Sequence, residues 1–292
     1  MTGIRVLTAL VLMPAVVALV LFTPTWAVAI ATAIITVLAL HEYFALGDAI
    51  GHRAYRLWTI FSALVLIYVQ WNPISLKNRG QVVGLASLAS DHFYRKEASY
   101  SFLVFLVFVL GLTVLTLFTR RPLVESLPSA GISSSAFLLI AFPLSFAVCL
   151  HGMGSVFDGP RLLLFALVIT WAADTTAYFV GRAFGKHPLA PHISPKKTWE
   201  GSIGSMFGSL AVAYAFSFWI RIPLPHLLLM ATVGNIAGQM GDLLESAYKR
   251  SAGVKDSGGL LPGHGGILDR IDALILCIPV IWYYLVLVNP SM

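Results

Sequence analysis

The segment that decides the fold lies at residues 246–272 and reads SAYKRSAGVKDSGGLLPGHGGILDRID. It is rich in glycine and in charges of both signs, and it leads directly into an uncharged apolar stretch that ends near Val288. An apolar stretch of about 18 residues is long enough to cross a membrane as a helix. The sequence therefore predicts a polar segment that a membrane-spanning helix holds at the membrane surface.

The whole chain has the composition of a membrane protein. Of its 292 residues, 58% are hydrophobic and 11% are charged, whereas a soluble domain averages about 45–50% apolar and about 25% charged residues. The apolar runs are too long and too numerous for one soluble core, so we expect an all-α integral membrane protein, a polytopic bundle of about nine transmembrane helices. The predicted spans are 5–22, 26–44, 57–71, 99–118, 134–151, 161–181, 201–220, 226–245 and 271–288.

The distribution of Lys and Arg predicts the orientation of the spans, since these residues are enriched in cytoplasmic loops. With the N-terminus in the cytoplasm, alternating spans put the majority of the loop cations on the cytoplasmic side. The 72–98 loop is the exception, because its cations fall on the other side. We expect one transmembrane domain, 1–292, in which 1–130 form N-terminal helices and 131–292 carry the functional site. The second part would present two cytoplasmic loops, 181–201 and 245–271.

Several functional classes are disfavoured by the sequence. Cys149 and Cys277 both lie in apolar runs and indicate buried thiols, with no disulfide framework and no cysteine metal site. The net charge of +6 comes from basic residues between the spans, so we expect no nucleic-acid partner. P-loop and hydrolase-elbow motifs are absent from the sequence. The first apolar run is more typical of a retained span than of a cleaved signal peptide.

The charged residues of the 246–272 segment have the chemistry of a polyphosphate site. Lys249, Arg250 and Lys255 supply positive charge, and the glycines among them let the backbone approach a ligand closely. Asp269 and Asp272 stand three residues apart at the start of the last span, so a helix there would place both on one face. Cations, close-approach backbone and paired carboxylates are together what a metal–polyphosphate site requires.

This segment resembles the signature of a known enzyme family, the phosphatidate cytidylyltransferases or CDP-diacylglycerol synthases. The likeness rests on KR at 249–250, KD at 255–256, PGHGG at 262–266 and DRID at 269–272. Two positions depart from the family pattern, which usually has an aliphatic residue in place of Tyr248 and often a serine in place of Ala273. Neither departure removes a charge or a glycine, so the resemblance still implies the same type of reaction.

A second polar segment, SPKKTWEG at residues 194–201, is similar to another block of this family. Lys196 and Lys197 are compact cations suited to a phosphate. Thr198 can cap the following helix, whose free N–H groups favour an anion. Taken alone, the cluster is more typical of a basic patch against anionic lipid head groups. Beside the 246–272 segment, the active-site interpretation is favoured.

Acidic residues inside the spans indicate polar surroundings, because a carboxylate at the centre of a membrane helix costs about 2.5–3.5 kcal/mol on insertion scales. Asp174 lies in the sixth span with Tyr178 one turn on, and the family has a similar feature there; a helix–helix hydrogen bond is the structural alternative. Asp242, near the end of the eighth span, is interpreted as a metal ligand. Glu245 fits equally well a site role and an ion pair with Lys249, four residues on.

Two histidines and one glutamate are polar residues outside these assignments. His264 lies among glycines and either binds phosphate or only fixes the loop. His41 and Glu42 begin a polar patch after the second span. Because no partner motif accompanies them, both are interpreted as interfacial residues.

The family resemblance implies transfer of the CMP moiety of CTP to phosphatidic acid, which gives CDP-diacylglycerol and pyrophosphate. The residues fit this chemistry, because a phosphate monoester already carries about −1.5 to −2 charges at pH 7 and needs no general base. The site must then neutralise charge and align the attack. Since Mg²⁺ prefers oxygen ligands, we expect Mg²⁺ as one or two divalent ions, with room for a second cation.

These arguments assign the site residues and partners. The expected catalytic residues are Asp242, Asp269, Asp272, Lys197, Lys255 and Arg270, and the three aspartates are the expected metal ligands. The expected substrate-binding residues are Asp174, Ser194, Lys196, Thr198, Glu200, Lys249, Arg250, Asp256, Gly263, His264, Gly265 and Gly266. The expected partners are CTP, phosphatidic acid and the lipid bilayer, and the resemblance also implies a homodimer. We expect a bacterial inner (cytoplasmic) membrane protein with its active site on the cytoplasmic side.

Two other functions stay open at this point. One is a transporter in which Asp174, Asp242 and Asp269 form an intramembrane relay, although this leaves the glycine and lysine loops unexplained. The other is a nucleotidyltransferase that acts on a different lipid phosphate and shares every site residue.

Overall fold

The computed structural model describes residues 2–72, 92–153, 158–259 and 265–288, with backbone alone at 2–10 and 92–99. These residues are almost entirely helical, as the sequence predicts. The helices in the first half are α1 (Thr2–Phe22), α2 (Thr25–Ala49), α3 (Arg56–Trp71), α4 (His92–Leu117) and α5 (Leu123–His151), which contains a π-helical segment at Phe137–Ala141. The second half has α6 (Gly159–Phe184), β1 (Pro188–Ala190), β2 (Ser194–Thr198), α7 (Trp199–Phe216), α8 (Leu224–Ser251) and α9 (Leu268–Val288).

The predicted count of nine spans is not confirmed. In the described part of the chain, six helices are long and apolar enough to cross a membrane: α2, α5, α6, α8, α9 and residues 100–117 of α4. The apolar helices Val11–Phe22 and Arg56–Trp71 are shorter. Helix α7 belongs to neither group, because glycine and serine dilute its apolar residues. The 72–98 loop lies mainly outside the described residues.

The helices of the second half pack closely because glycines face their neighbours. A Cβ on Gly204 of α7 would come within 2.6 Å of Val180 on α6, and a Cβ on Gly208 would overlap Thr176. Small residues at these positions let the two helices approach closely. Aromatic residues fill the first half, where Phe108 of α4 stacks on Phe137 of α5 at 4.2 Å between ring centroids.

The segment between α6 and α7 departs locally from the all-α prediction. Strands β1 and β2 form an antiparallel hairpin in which Pro188 pairs with Thr198 and Ala190 with Ser194. The predicted loop boundaries also change, because α6 continues to Phe184 and α8 to Ser251. The loops 181–201 and 245–271 are therefore shorter than predicted.

Contacts bring the functional segments to one end of the bundle. The hairpin follows the end of α6 and leads into the start of α7, while the 252–267 segment joins the end of α8 to the start of α9. The second half of α2 reaches the same end, since Glu42 contacts the first residues of α9. His151, at the end of α5, lies at the opposite end, where it contacts Val20 and Thr25.

Candidate active site

A cavity of about 590 Å³ opens among α6, the β-hairpin, α7, α8 and α9. A space of this size is in the range of ligand pockets, about 300–1,000 Å³. Its polar lining contains both signs of charge and several uncharged donors and acceptors. These polar residues are Thr170, Asp174, Tyr178, Arg182, Lys196, Lys197, Thr198, Ser202, Ser205, Asn235, Gln239 and Asp242.

Lys197 and Asp242 form an ion pair across the cavity, from β2 to α8. Their side chains retain 29% and 28% exposure, so both can still reach a ligand. Asp174 has an exposed side chain that lines the same space, and it interacts electrostatically with Asp242, Lys197 and Arg270. The structure thus brings together three predicted site residues from three separate elements.

One wall of the cavity is a hydrogen-bonded network between α7 and α8. Ser202 Oγ donates to Gln239 Oε1 at 2.5 Å, and Gln239 Nε2 donates to Ser205 Oγ at 2.9 Å. Asn235, one turn before Gln239, donates to Ser209 Oγ at 2.8 Å. None of these residues was predicted from the sequence to belong to the site. Amide side chains one turn apart inside an apolar helix were the available signal, because such groups are buried only with partners.

Arg182 is another residue that sequence reasoning missed. It lines the cavity beside the two lysines, and its Nη1 donates to Tyr178 Oη at 3.0 Å. The spacing of Asp174, Tyr178 and Arg182 at four-residue intervals was the signal, since residues four apart share a helix face.

The hairpin is fixed to the start of α7 by Thr198 and Glu200. Thr198 Oγ1 accepts from Gly201 N at 3.1 Å, which confirms its predicted N-cap role. Glu200 accepts from the backbone N–H groups of Lys186 and His187, and its Oε1 lies 2.6 Å from His187 Nδ1. The contact with His187, with help from the backbone donors, lowers the pKa of Glu200 to about 2. Glu200 therefore contacts the hairpin in this structure.

A second charged cluster lies behind the cavity and is nearly closed to solvent. Lys249 Nζ lies 2.5 Å from both Glu245 Oε2 and Asp269 Oδ1. The three side chains are only 11%, 5% and 10% exposed. The i,i+4 pair of Glu245 and Lys249, which the sequence left open, is present. Lys249, a predicted phosphate contact, here contacts two buried carboxylates, and its single positive charge balances one of them.

Asp269 also holds the backbone of the preceding segment. Its Oδ2 accepts from Gly266 N at 2.9 Å and from Ser257 N at 3.1 Å. Gly265, just before, has a φ of 78°, which L side chains rarely adopt. Both oxygens of Asp269 therefore have partners within the protein.

The interpretation of Glu42 as an interfacial residue is wrong. Its side chain is 3% exposed and accepts hydrogen bonds from Ser257, Ile267 and Leu268. His41, by contrast, is exposed. No motif surrounds Glu42, but a carboxylate within a long apolar helix was itself a signal of a polar partner.

Asp272 lies between the two clusters and interacts electrostatically with Asp242, Glu245 and Asp174. Its Oδ1 accepts from Ala273 N at 2.7 Å. Among the described residues, no three His, Cys, Asp or Glu side chains are placed together to bind one metal ion. The metal set Asp242, Asp269 and Asp272 stays a prediction.

The other predicted residues lie around the rim of the site. Arg250 joins α8 to the hairpin, because its Nε donates to Ile193 O at 3.3 Å. Ser194 begins β2, and Lys196, Lys255, Asp256 and Arg270 are exposed. Gly266 is buried against Glu42. Gly263 and His264 lie outside the described residues.

The apolar helices are those of a multi-pass membrane protein, and a cavity with charges of both signs lies at one end of the bundle. The sequence model of the cytidylyltransferase family matches residues 3–288. The chain therefore belongs to the cytidylyltransferase family.

Curated relatives agree with this assignment. The chain is 48% identical over 126 residues to the phosphatidate cytidylyltransferase of Staphylococcus haemolyticus, which covers 42% of this chain and 48% of that protein. It is 45% identical over 131 residues to the same enzyme of Bacillus subtilis, with coverage of 44% and 49%. For Haemophilus influenzae the identity is 44% over 142 residues, with coverage of 46% and 49%. The chain thus spans about half the length of the curated relatives it matches.

Proposed function

We propose that this protein transfers the CMP moiety of CTP to phosphatidic acid and releases pyrophosphate. The observation that carries the proposal is the cavity in which Lys197 of the hairpin pairs with Asp242 of α8. The family membership and the names of the bacterial relatives support the same reaction.

The cavity residues suit the charge balance of this reaction. An oxygen of the lipid phosphate attacks the α-phosphorus of CTP, and the bond from that phosphorus to the bridging oxygen of the β-phosphate breaks. Pyrophosphate leaves with the electron pair, and no proton has to be removed from the nucleophile. Lys196, Lys197 and Arg182 line the place where two anions must meet. Their charges lower the repulsion between these anions and orient the phosphates.

The carboxylates near the cavity fit a divalent cation in their chemistry. Asp242, Asp272 and Asp174 interact repulsively with one another, and a cation would relieve that repulsion. Mg²⁺ usually keeps waters and substrate phosphates as ligands, so one or two carboxylates are sufficient. When bound, the ion would neutralise charge on the triphosphate. Asp269 fits less directly, because its oxygens already contact Lys249, Ser257 and Gly266.

The proposed location is the cytoplasmic side of a bacterial inner membrane. The relatives are bacterial, and the lysines in and next to the hairpin, Lys186, Lys196 and Lys197, favour the cytoplasmic side. CTP would enter from the cytoplasm, and the lipid substrate would come from the bilayer. The homodimer implied by the resemblance stays a prediction.

Pyrophosphate release by the full chain in mixed micelles tests the proposal. The reaction contains CTP, phosphatidic acid and Mg²⁺, and parallel reactions lack one substrate or contain EDTA. We expect release only when all three are present, and loss of release in Asp242→Asn but not in Asp48→Asn, a carboxylate paired with Arg56 away from the cavity. Release with a polyprenyl phosphate and not with phosphatidic acid would overturn the substrate assignment. Substrate flux into vesicles without pyrophosphate would favour a transporter.

A further inference from the structure

We propose that Glu42 of α2 is a positioning residue. It holds Ser257, Ile267 and Leu268, which lie on either side of the glycine-rich 258–266 segment, in their active conformation. This inference rests on the proposed function, because the segment leads into α9, which carries Asp269, Arg270 and Asp272. Glu42 itself does not line the cavity.

The carboxylate of Glu42 accepts three hydrogen bonds from residues more than 200 positions away. Its Oε2 accepts from Ser257 Oγ at 3.0 Å and from Leu268 N at 2.8 Å, and its Oε1 accepts from Ile267 N at 3.0 Å. Hydrogen bonds to an ionised acceptor are about twice as strong as neutral ones. With 3% exposure, water cannot readily replace these partners.

Glu42 caps α9 from a different helix. The first N–H groups of a helix have no partner within the helix and need external acceptors. Asp269 accepts from Gly266 N, while Glu42 accepts from the next two residues, Ile267 and Leu268. Two carboxylates, one local and one from α2, thus share the start of α9.

Ser257 connects the two carboxylates across the segment. Its backbone N donates to Asp269, and its hydroxyl donates to Glu42. Residues 257 and 266–268 therefore converge on one buried acidic cluster. Glu42 fixes the distance between the end of the 252–259 stretch and the start of α9.

Two glycines leave space for the Glu42 side chain, because a Cβ at either position would overlap it. The three nearest atoms to a Cβ on Gly258 would all belong to Glu42, with Oε1 at 2.5 Å. A Cβ on Gly266 would overlap Glu42 Oε2 and Ser257 Oγ. The neighbouring residue of α2 makes a further contact, because Tyr43 packs edge-on against Tyr248 of α8 at 5.6 Å between centroids. Helix α2 therefore contacts the protein on both sides of the segment.

This arrangement predicts an effect on turnover that exceeds the effect on nucleotide binding. A displacement of about 1 Å in groups that align the reaction costs about 10²-fold in rate, so we expect kcat of Glu42→Gln to fall by that amount. KM for CTP should change far less, because the cavity lining stays in place. Gln turns an NH₂ group toward donors, whereas Glu42→Asp keeps acceptor oxygens and should recover more of kcat. Asp48→Asn on the same helix is the matched control and should keep full turnover.

Hydrogen–deuterium exchange of the full-length protein supplies a readout independent of activity. In Glu42→Gln we expect faster exchange at residues 252–259 and 265–268, with α6 and α7 unchanged. Unchanged exchange in the segment, or an equal increase in α6 and α7, would overturn the positioning role. Wild-type kcat in Glu42→Gln would do the same. If wild-type protein releases no pyrophosphate from CTP and phosphatidic acid, the proposed reaction fails, while the exchange result still decides the role of Glu42.

Discussion

The two lysine–carboxylate clusters of this protein differ in their number of carboxylates and in their exposure to solvent. Lys197 and Asp242 pair at the cavity with 29% and 28% exposure. Lys249 pairs with Glu245 and Asp269 at 5–11% exposure, and Asp269 also accepts two backbone hydrogen bonds. The accessible pair can exchange partners with a ligand, whereas Lys249 and Asp269 already have partners within the protein. The open cluster is suited to substrate contact and the closed cluster to holding the backbone.

Aspartate-to-asparagine variants test this contrast with the largest expected effect. Asp242→Asn should lower kcat/KM by about 10³-fold, the upper range for loss of one electrostatic contact in an active site. Its thermal unfolding temperature should stay near wild type. Asp269→Asn should lower both turnover and the unfolding temperature, because it weakens the closed cluster. Pyrophosphate release and thermal unfolding in detergent measure the two quantities. Near-wild-type turnover in Asp242→Asn contradicts the assignment of the open cluster.

Lysine-to-methionine variants of the two clusters should differ in their free energy of unfolding. Lys249→Met leaves Glu245 and Asp269 buried without their cation, and breaking a buried pair costs about 3–5 kcal/mol. Lys197→Met leaves only a partly exposed Asp242, so its free energy of unfolding should change much less. Denaturant unfolding of both variants gives the comparison. Equal losses of stability would show that the clusters do not differ in this way.

A double-mutant cycle sharpens the account of the closed region. Gly258→Ala places a methyl group against Glu42 and should lower turnover in the wild-type background. In the Glu42→Ala background the three Glu42 atoms nearest to that methyl group are gone, so the same change should have little further effect. The measurement is kcat for the four proteins. Additive losses would contradict direct packing between these two positions.

The smallest expected effect concerns Glu200 at the rim of the open region. Because its pKa is lowered from 4.5 to about 2, the contact with His187 contributes stability above about pH 4.5. This contribution should be lost as the pH falls through about 2. Thermal unfolding of wild type and Glu200→Gln at several pH values should therefore differ at pH 5 and converge toward pH 2. A difference in unfolding temperature that grows toward acidic pH would contradict a stabilising contact between Glu200 and His187.

The sequence was sufficient for the parts of the fold that depend on local patterns. Apolar runs placed the helices, although several helix ends differ from the predicted ends by a turn or more, and Thr198 was correctly assigned as a cap. Charged blocks pointed to Lys197 and Asp242, which the structure brings together at one cavity. Each of these inferences used residues that are close together in the chain.

Long-range contacts were not accessible in the same way. Glu42 is 226 residues from Leu268, its hydrogen-bond partner, and no motif marks it. Asp269 was assigned to a metal from its spacing, which could not reveal that both of its oxygens have protein partners. The hairpin was also missed, because SPKKT reads as a basic loop until it pairs with Pro188–Ala190.

The contact between α2 and α9 has a consequence for biosynthesis. At about 5–20 residues per second, the ribosome needs roughly 10–45 s to synthesise the chain from Glu42 to Leu268. During that interval α2 carries an acid without its final hydrogen-bond partners, which is unfavourable within a membrane. Helix α9 therefore completes a contact that α2 lacks until residues 267 and 268 have been made. Insertion of α9 supplies Glu42 with the N–H donors of Ile267 and Leu268.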